Sequence, residues 1–304
     1  MKKAPKNIPA SIRARLQNIA TETKRPFSEV LQYYAMERFL YRFSQSEYAE
    51  QFILKGALMF TVWQVPERRA TLDIDFSACF DNKVAAIENV IKNVCGLAVE
   101  PDGLVFSCSS VKGKKIKENA DYEGVRVKFH GLLGKSRVAM QIDVAFGDSV
   151  SPGPRTIDYP VILDLPQPRL KGYPVESVVS EKFEAAVKLG SLNSRMKDYF
   201  DLWLMSRCFD FAGGKLFEAL KKTFKRRQTP FPEQAPLFDK EIYDNGSDRQ
   251  TLWQAFLRKG EIKHAPDSLG KVAQEIEKFL LEPLASITKG KGFNKKWQAP
   301  GPWK

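Results

Sequence analysis

Apolar residues recur at helical spacing early and late in the chain and at strand spacing in between. Residues 10–50 predict helices broken at Pro26, after which Ser28 is placed to cap a segment carrying Leu31, Tyr34, Ala35 and Phe39 on one face. From about 51 to 165 the pattern shortens to β-type runs, "TLDIDFSA", "LVFSCSSV", "GVRVKFHGLL" and "SRVAMQIDVAF", separated by Gly, Asp and Asn. One helix, roughly 82–95, interrupts them. Pro152, Pro154, Pro160, Pro166 and Pro168 then crowd a stretch that cannot be one regular element and mark a boundary. Beyond it Val179, Phe183, Ala186 and Val187 make an apolar stripe, "MKDYFDLWLM" continues in that style, and helices are predicted near 214–227, 249–259 and 267–282. The expected organisation is a helical lead-in over 1–50, an α/β domain over 51–168, a helical domain over 169–288 and a basic aromatic tail over 289–304.

Within "TLDIDFSA" the alternation carries chemistry. Alternate strand side chains point to opposite faces, so Leu72, Ile74 and Phe76 are expected in the core while Asp73 and Asp75 project together from the other side. In "VAMQIDVAF" Val138, Met140, Ile142 and Val144 share one face, and Gln141 and Asp143 the other. Two adjacent strands could thus gather three carboxylates, which repel one another unless a cation neutralises them. Mg²⁺, with Mn²⁺ as an alternative, suits a few carboxylates plus substrate phosphate. Upstream, "FILKGALMF" places Lys55 and Gly56 at a turn into a helix, where backbone N–H groups suit a triphosphate. Arg69, beside the acidic strand, is a further phosphate candidate.

The chain has 304 residues, 43% hydrophobic and 12% aromatic, which is globular rather than disordered composition. Its 48 Lys and Arg against 36 Asp and Glu leave a net charge of +12, a surplus that attracts polyanions such as nucleic acid. Cys79, Cys95, Cys108 and Cys208 have neither zinc-site spacing nor the density of a disulfide scaffold and read as reduced core thiols. No run approaches the roughly 20 apolar residues of a membrane span, and "MKKAPKNIP" lacks the apolar stretch of a signal peptide, so a cytoplasmic protein without membrane contact is expected. His130 and His264 are isolated and read as structural. Two basic clusters remain: "KKTFKRR" at 221–227, and the tail from Lys289, whose Phe293, Trp297 and Trp303 could either stack on RNA or pack onto the body.

Five blocks in order, "LKGALMF", "RATLDIDF", "QIDVAFGD", "SEKFEAAVKLG" and "SRMKDYFDL", resemble the AbiEii toxin family of nucleotidyltransferases over about residues 45–210. The resemblance implies a polymerase-β-like nucleotidyltransferase mixed α/β sheet followed by a helical domain. It makes Gly56 part of the nucleotide-binding turn, Asp73 and Asp75 the metal pair, Asp143 a third strand carboxylate, and Lys182 and Asp198 the later Lys and Asp motifs. Lys55, Ala57 and Arg195 flank these positions as nucleotide-binding candidates. The turn departs from its relatives, which commonly have a second Gly and then Ser or Thr; Ala57 offers no hydroxyl to phosphate. Arg195, Asp198 and Asp201 are also spaced to salt-bridge along a helix face, which is the reading preferred for Asp201. The implied function is Mg²⁺-dependent transfer of a nucleotidyl group from an NTP to RNA, the tRNA 3′ end in particular, by a toxin controlled by an antitoxin encoded beside it. A protein nucleotidylase acting on Ser, Thr or Tyr, and a non-catalytic nucleotide- or nucleic-acid-binding module, stay open as alternatives.

Overall fold

A computed structural model describes residues 7–118, 122–190, 193–232, 238, 243 and 247–304. The chain divides into a sheet unit, made of Met1–Trp63, Thr71–Gly147 and Arg155–Gly172, and a helical unit, made of Gln64–Ala70, Asp148–Pro154 and Tyr173–Lys304. The result is a mixed α/β architecture, as the sequence leads one to expect.

The sheet unit opens with α1 (Ile8–Thr23), capped by the Asn7 side chain, which accepts from the Ala10 N–H at 3.1 Å, and α2 (Phe27–Ser44). Pro26, with its fixed φ, occupies the position before α2, so Ser28 lies inside the first turn and is not the cap. β1 (Phe52–Lys55) and the one-turn α3 (Met59–Val62) come next. Then follow β2 (Ile74–Ala78), α4 (Val84–Gly96), β3 (Leu104–Phe106), β4 (Lys112–Glu118), β5 (Tyr122–Leu133), β6 (Ser136–Phe146), β7 (Arg155–Asp158) and β8 (Arg169–Gly172). The sheet order is β3-β5-β6-β2-β1-β8-β7, with β4 also pairing β5. β2 runs parallel to β6 and antiparallel to β1, so the sheet is mixed around the acidic strand.

One face of this sheet is packed by α2. Phe43 stacks on Phe76 at 4.8 Å between ring centroids and meets Phe52 at 5.2 Å, while Phe39 meets Phe129 at 5.2 Å. Ile74 and Phe76 are buried as the alternation requires, but Leu72 is 67% exposed. Pairing of β2 with β6 begins only at Ile74, so Leu72 precedes the pleat that would have turned it inward. Cys95 alone of the four free cysteines is buried; Cys79, Cys108 and Cys208 are exposed, which corrects their reading as core thiols. Cys79 sits just past the end of β2 and Cys208 ends a helix, where the chain is turning outward.

α2 also buries charge. Arg42 holds Asp102 through two bonds of 2.6 and 3.1 Å, and Glu37 accepts from the Ile162 N–H at 2.7 Å. Burial pushes the Glu37 carboxyl up to about 7, in spite of that bond and of neighbouring Arg38. In the unfolded chain it ionises near 4.5, so folding takes up a proton between these values. The stabilisation is therefore complete below pH 4.5 and lost as pH rises through 7. We predict a decline on the order of 3 kcal/mol across this window from Glu37. In Glu37→Gln the decline should flatten in urea unfolding measured at each pH; a profile parallel to wild type would refute the assignment.

The helical unit contains α5 (Val175–Leu189), α6 (Met196–Cys208), β9 (Phe211–Ala212), α7 (Gly213–Arg226), α8 (Asp248–Lys259), α9 (Leu269–Thr288) and β10 (Lys296–Trp297). α6 is buried nearly all round, through Tyr199, Phe200, Leu202, Trp203, Leu204 and Met205. α7 turns Leu216, Leu220 and Phe224 inward, leaving the lysines of "KKTFKRR" on its outer face. Arg227 is held by Glu184 at 2.8 Å and by Asp148 and Glu181 at 3.4 Å each. The tail is packed: β10 pairs with β9, the Trp297 indole N–H donates to the Ser206 carbonyl at 2.7 Å, and that of Trp303 to the Phe279 carbonyl at 2.8 Å. Phe293, Trp297 and Trp303 are buried, so their rings are occupied by protein. No helix among the described residues is long and apolar enough to cross a membrane.

Candidate active site

The parallel pairing of β2 with β6 sets Asp75 directly beside Asp143. Asp73 lies one residue before β2 and accepts a hydrogen bond from the Thr71 hydroxyl. The Thr71 N–H in turn donates to the Tyr33 hydroxyl at 3.2 Å, which ties the acidic segment to α2. One carboxylate oxygen from each of Asp73, Asp75 and Asp143 lies within 4.8 Å of the others. Oxygen-only donors at this separation fit a hard divalent cation such as Mg²⁺ or Mn²⁺ rather than a thiolate- or imidazole-seeking metal.

Arg126 of β5 stands opposite Asp143 in register and holds both of its oxygens, Nε to Oδ1 at 2.8 Å and Nη2 to Oδ2 at 2.6 Å. Hydrogen bonding to Asp143, with the further pull of Asp73 and Asp75, raises the guanidinium above its ordinary range despite partial burial. Sequence reading missed Arg126. Its signal was an arginine at an outward position of "GVRVKFH", but nothing in the sequence pairs that position with Asp143.

Gly56 directly follows β1 with φ +72°, in the left-handed region that a side chain strongly disfavours. A Cβ placed there would overlap the Asp75 carboxylate, lying 2.7 Å from its Cγ and 2.9 Å from its Cβ. Gly56 thus allows the main chain to pass against the acidic strand. Lys55, opposite Asp75 in register, and Ala57 are both buried. The turn leads only into a 3₁₀ turn and the four-residue α3, so a helix dipole contributes less here than the sequence pattern implies. Gly56→Ala should shift Asp75 and lower transfer by about 100-fold or more, since misplacement near 1 Å costs that much. Circular dichroism and a labelled-NTP assay on the folded variant check this; wild-type turnover would sink it.

In the helical unit Lys182 of α5 reaches two aspartates of α6, Asp198 at 2.8 Å and Asp201 at 2.7 Å. Arg195 holds the other side of Asp198 at 2.8 Å, and Arg69 holds Asp201 at 3.0 Å. Burial opposes charging Lys182, yet Asp198 and Asp201 outweigh it and hold the ammonium above the ordinary lysine range. Burial likewise opposes ionising Asp198, but Lys182 and Arg195 hold its carboxyl below the usual carboxylate range. Asp201 is 1% exposed and salt-bridged, as its spacing suggested, but within a buried network in which Lys182 and Arg69 reach it from outside its helix. Of the candidates, then, Asp73, Asp75, Asp143, Lys55, Gly56 and Ala57 gather in the sheet unit, and Lys182, Asp198, Arg195 and Arg69 in the helical unit.

Two solved structures from Helicobacter pylori are similar to this chain. JHP933 is 15% identical, covering 83% of this chain and 93% of its own with a TM-score of 0.39. A candidate nucleotidyltransferase is 16% identical, covering 81% and 93%, also with a TM-score of 0.39. No curated protein matches the sequence. The model of the family described as nucleotidyl transferase AbiEii toxin, type IV toxin–antitoxin system, matches residues 38–278. With most of its length matched, the acidic strand and both ionic clusters included, the chain belongs to the AbiEii family of toxin nucleotidyltransferases.

Proposed function

We propose that this nucleotidyltransferase moves a nucleotidyl group from an NTP onto RNA, with the tRNA 3′ end as acceptor, at a centre built on Asp73, Asp75 and Asp143. The convergence of those three carboxylates within 4.8 Å carries the reading. They would hold Mg²⁺ or Mn²⁺, which when bound supplies charge neutralisation at the phosphates and lowers the pKa of a coordinated oxygen. In the reaction the acceptor hydroxyl gives up its proton to solvent as its oxygen bonds to the α-phosphorus, the bond from that phosphorus to the bridging oxygen breaks, and pyrophosphate leaves. Gly56 lets the main chain approach this centre. Lys182, kept charged by Asp198 and Asp201, is proposed as a point charge for phosphate, and Asp198 as the residue that positions it. Lys55, Ala57, Arg69 and Arg195 are proposed to shape nucleotide binding. The +12 charge favours a polyanionic acceptor over a protein one, and an antitoxin partner and a cytoplasmic site of action are consistent with the family.

The deciding experiment offers purified protein, Mg²⁺ and each labelled NTP both to purified tRNA and to lysate protein. Label is expected on the RNA 3′ end and should disappear with chelator. Label on protein alone would replace the RNA reading with a protein nucleotidylase, and metal-independent RNA binding without label would support a binding module.

A further inference from the structure

Strands β4, β5 and β6 leave one face of the sheet open. Val125, Val127 and Phe129 of β5 and Val138, Met140, Ile142 and Val144 of β6 are buried on the other side, so the alternate residues point outward. Register pairs Lys112 with Lys128, Lys114 with Arg126, and Arg126 with Asp143, placing all of them on the face that holds the acidic cluster. Lys112, Lys114, Lys128 and Arg137 are exposed. Among the described side chains Asp143 is the one carboxylate that these three strands put on this face, and Arg126 already holds it. Lys112, Lys114 and Lys128 form no ion pair among the described residues.

Lys112 and Lys128, directly opposed with like charge, destabilise a β-ladder, while Lys114 faces Arg126, whose charge Asp143 already answers. A local rule broken at Lys112 and Lys128, with the exposed Lys114 alongside and the carboxylate cluster on the same face, points to a ligand that relieves the repulsion. The charges sit on a grid of about 5 Å across strands and about 7 Å between alternate residues. Such a grid suits a string of phosphates better than one compact triphosphate. Among described side chains no phenyl, phenol or indole ring lies on it, and its one imidazole, His130, is engaged by Arg137 at 3.3 Å, so the face is charged rather than a stacking platform.

From this we infer that the open face of β4–β6 is the docking surface for the phosphate backbone of the RNA acceptor, gripping it without reading sequence and leading its end to the carboxylates. The inference rests on the RNA-acceptor reading and adds the surface that serves it. Phosphate contacts of this kind position a nucleic acid rather than specify its sequence.

The test is the triple variant Lys112→Gln, Lys114→Gln and Lys128→Gln in the full chain, beside a control with the same charge change in exposed helical-unit lysines, Lys259→Gln, Lys263→Gln and Lys271→Gln. Affinity for tRNA is measured across a salt series, NTP affinity separately, and folding by thermal melting. The sheet variant is expected to lose affinity on the order of 100-fold near physiological salt, with a log–log salt slope shallower by about two. NTP affinity should hold, and the melting temperature should not fall because the opposed charges are gone. An unchanged affinity and slope, an equal loss in the control, or a loss confined to NTP overturns the docking surface and leaves the RNA reading standing. Wild-type protein that neither binds RNA in a salt-dependent way nor labels it overturns both.

Discussion

Asp75→Ala, and Asp73→Ala beside it, are expected to lower nucleotidyl transfer by about 1,000-fold or more, the loss that follows when a divalent-cation site worth several kcal/mol is opened. The effect arises in the sheet unit, where the two residues and Asp143 supply oxygens within 4.8 Å of one another. Folding should not follow activity down. Both side chains are partly exposed and neither packs in the core, which is built from Ile74 and Phe76 on the opposite side of the strand. Relief of repulsion among the three carboxylates offsets the contacts given up, such as the Thr71 bond to Asp73, so the melting temperature should change little. Mn²⁺ affinity, read by titration calorimetry without any NTP, should weaken in parallel with transfer. A folded Asp75→Ala protein with near-wild-type turnover would show that the cluster is not the reaction centre.

Lys182→Met is expected to strike stability and transfer together. The ammonium lies between Asp198 and Asp201, both almost wholly buried, and Met fills a similar volume without supplying charge. Arg195 and Arg69 still contact one aspartate each, so the loss should be about 3 kcal/mol, toward the lower end of what breaking a buried ion pair costs. Urea unfolding measures that part. At a temperature where the variant is still folded, kcat should fall more than KM changes, because a positioned cation counts most where phosphoryl charge develops. Reduced stability with undiminished turnover at saturating NTP would mean that Lys182 only neutralises the aspartates.

The acidic strand was legible because a period of two is local: Ile74 and Phe76 inward and Asp75 outward follow from adjacent residues alone. The helices near 82–95, 214–227, 249–259 and 267–282 were legible for the same reason and appear as α4, α7, α8 and α9. What pairs with what was not. Asp75 sits beside Asp143 through a parallel register between segments almost seventy residues apart, and Arg126 reaches Asp143 through a second register. Neither register leaves a periodic trace. β4 was not among the expected β-type runs because its lysines leave no apolar alternation, although pairing with β5 makes it a strand. Asp201 was read as salt-bridged along its helix face because helical spacing shows neighbours on α6 and cannot show Lys182 arriving from α5. The tail's aromatic rings allowed two readings until the bonds from Trp297 and Trp303 to main-chain carbonyls fixed one.

The two units are each assembled from three separated stretches of chain, and this bears on how such a gene tolerates recombination. Arg69 travels with the segment before the acidic strand, yet its carboxylate, Asp201, is encoded far downstream. Asp148 likewise precedes β7 and β8 but pairs with Arg227. A crossover anywhere between codons 69 and 227 separates the halves of at least one of these buried pairs. Chimaeras joined inside that span keep both pairs only when the two parents carry matching residues, so workable hybrids of this chain are to be sought by exchanging its flanks.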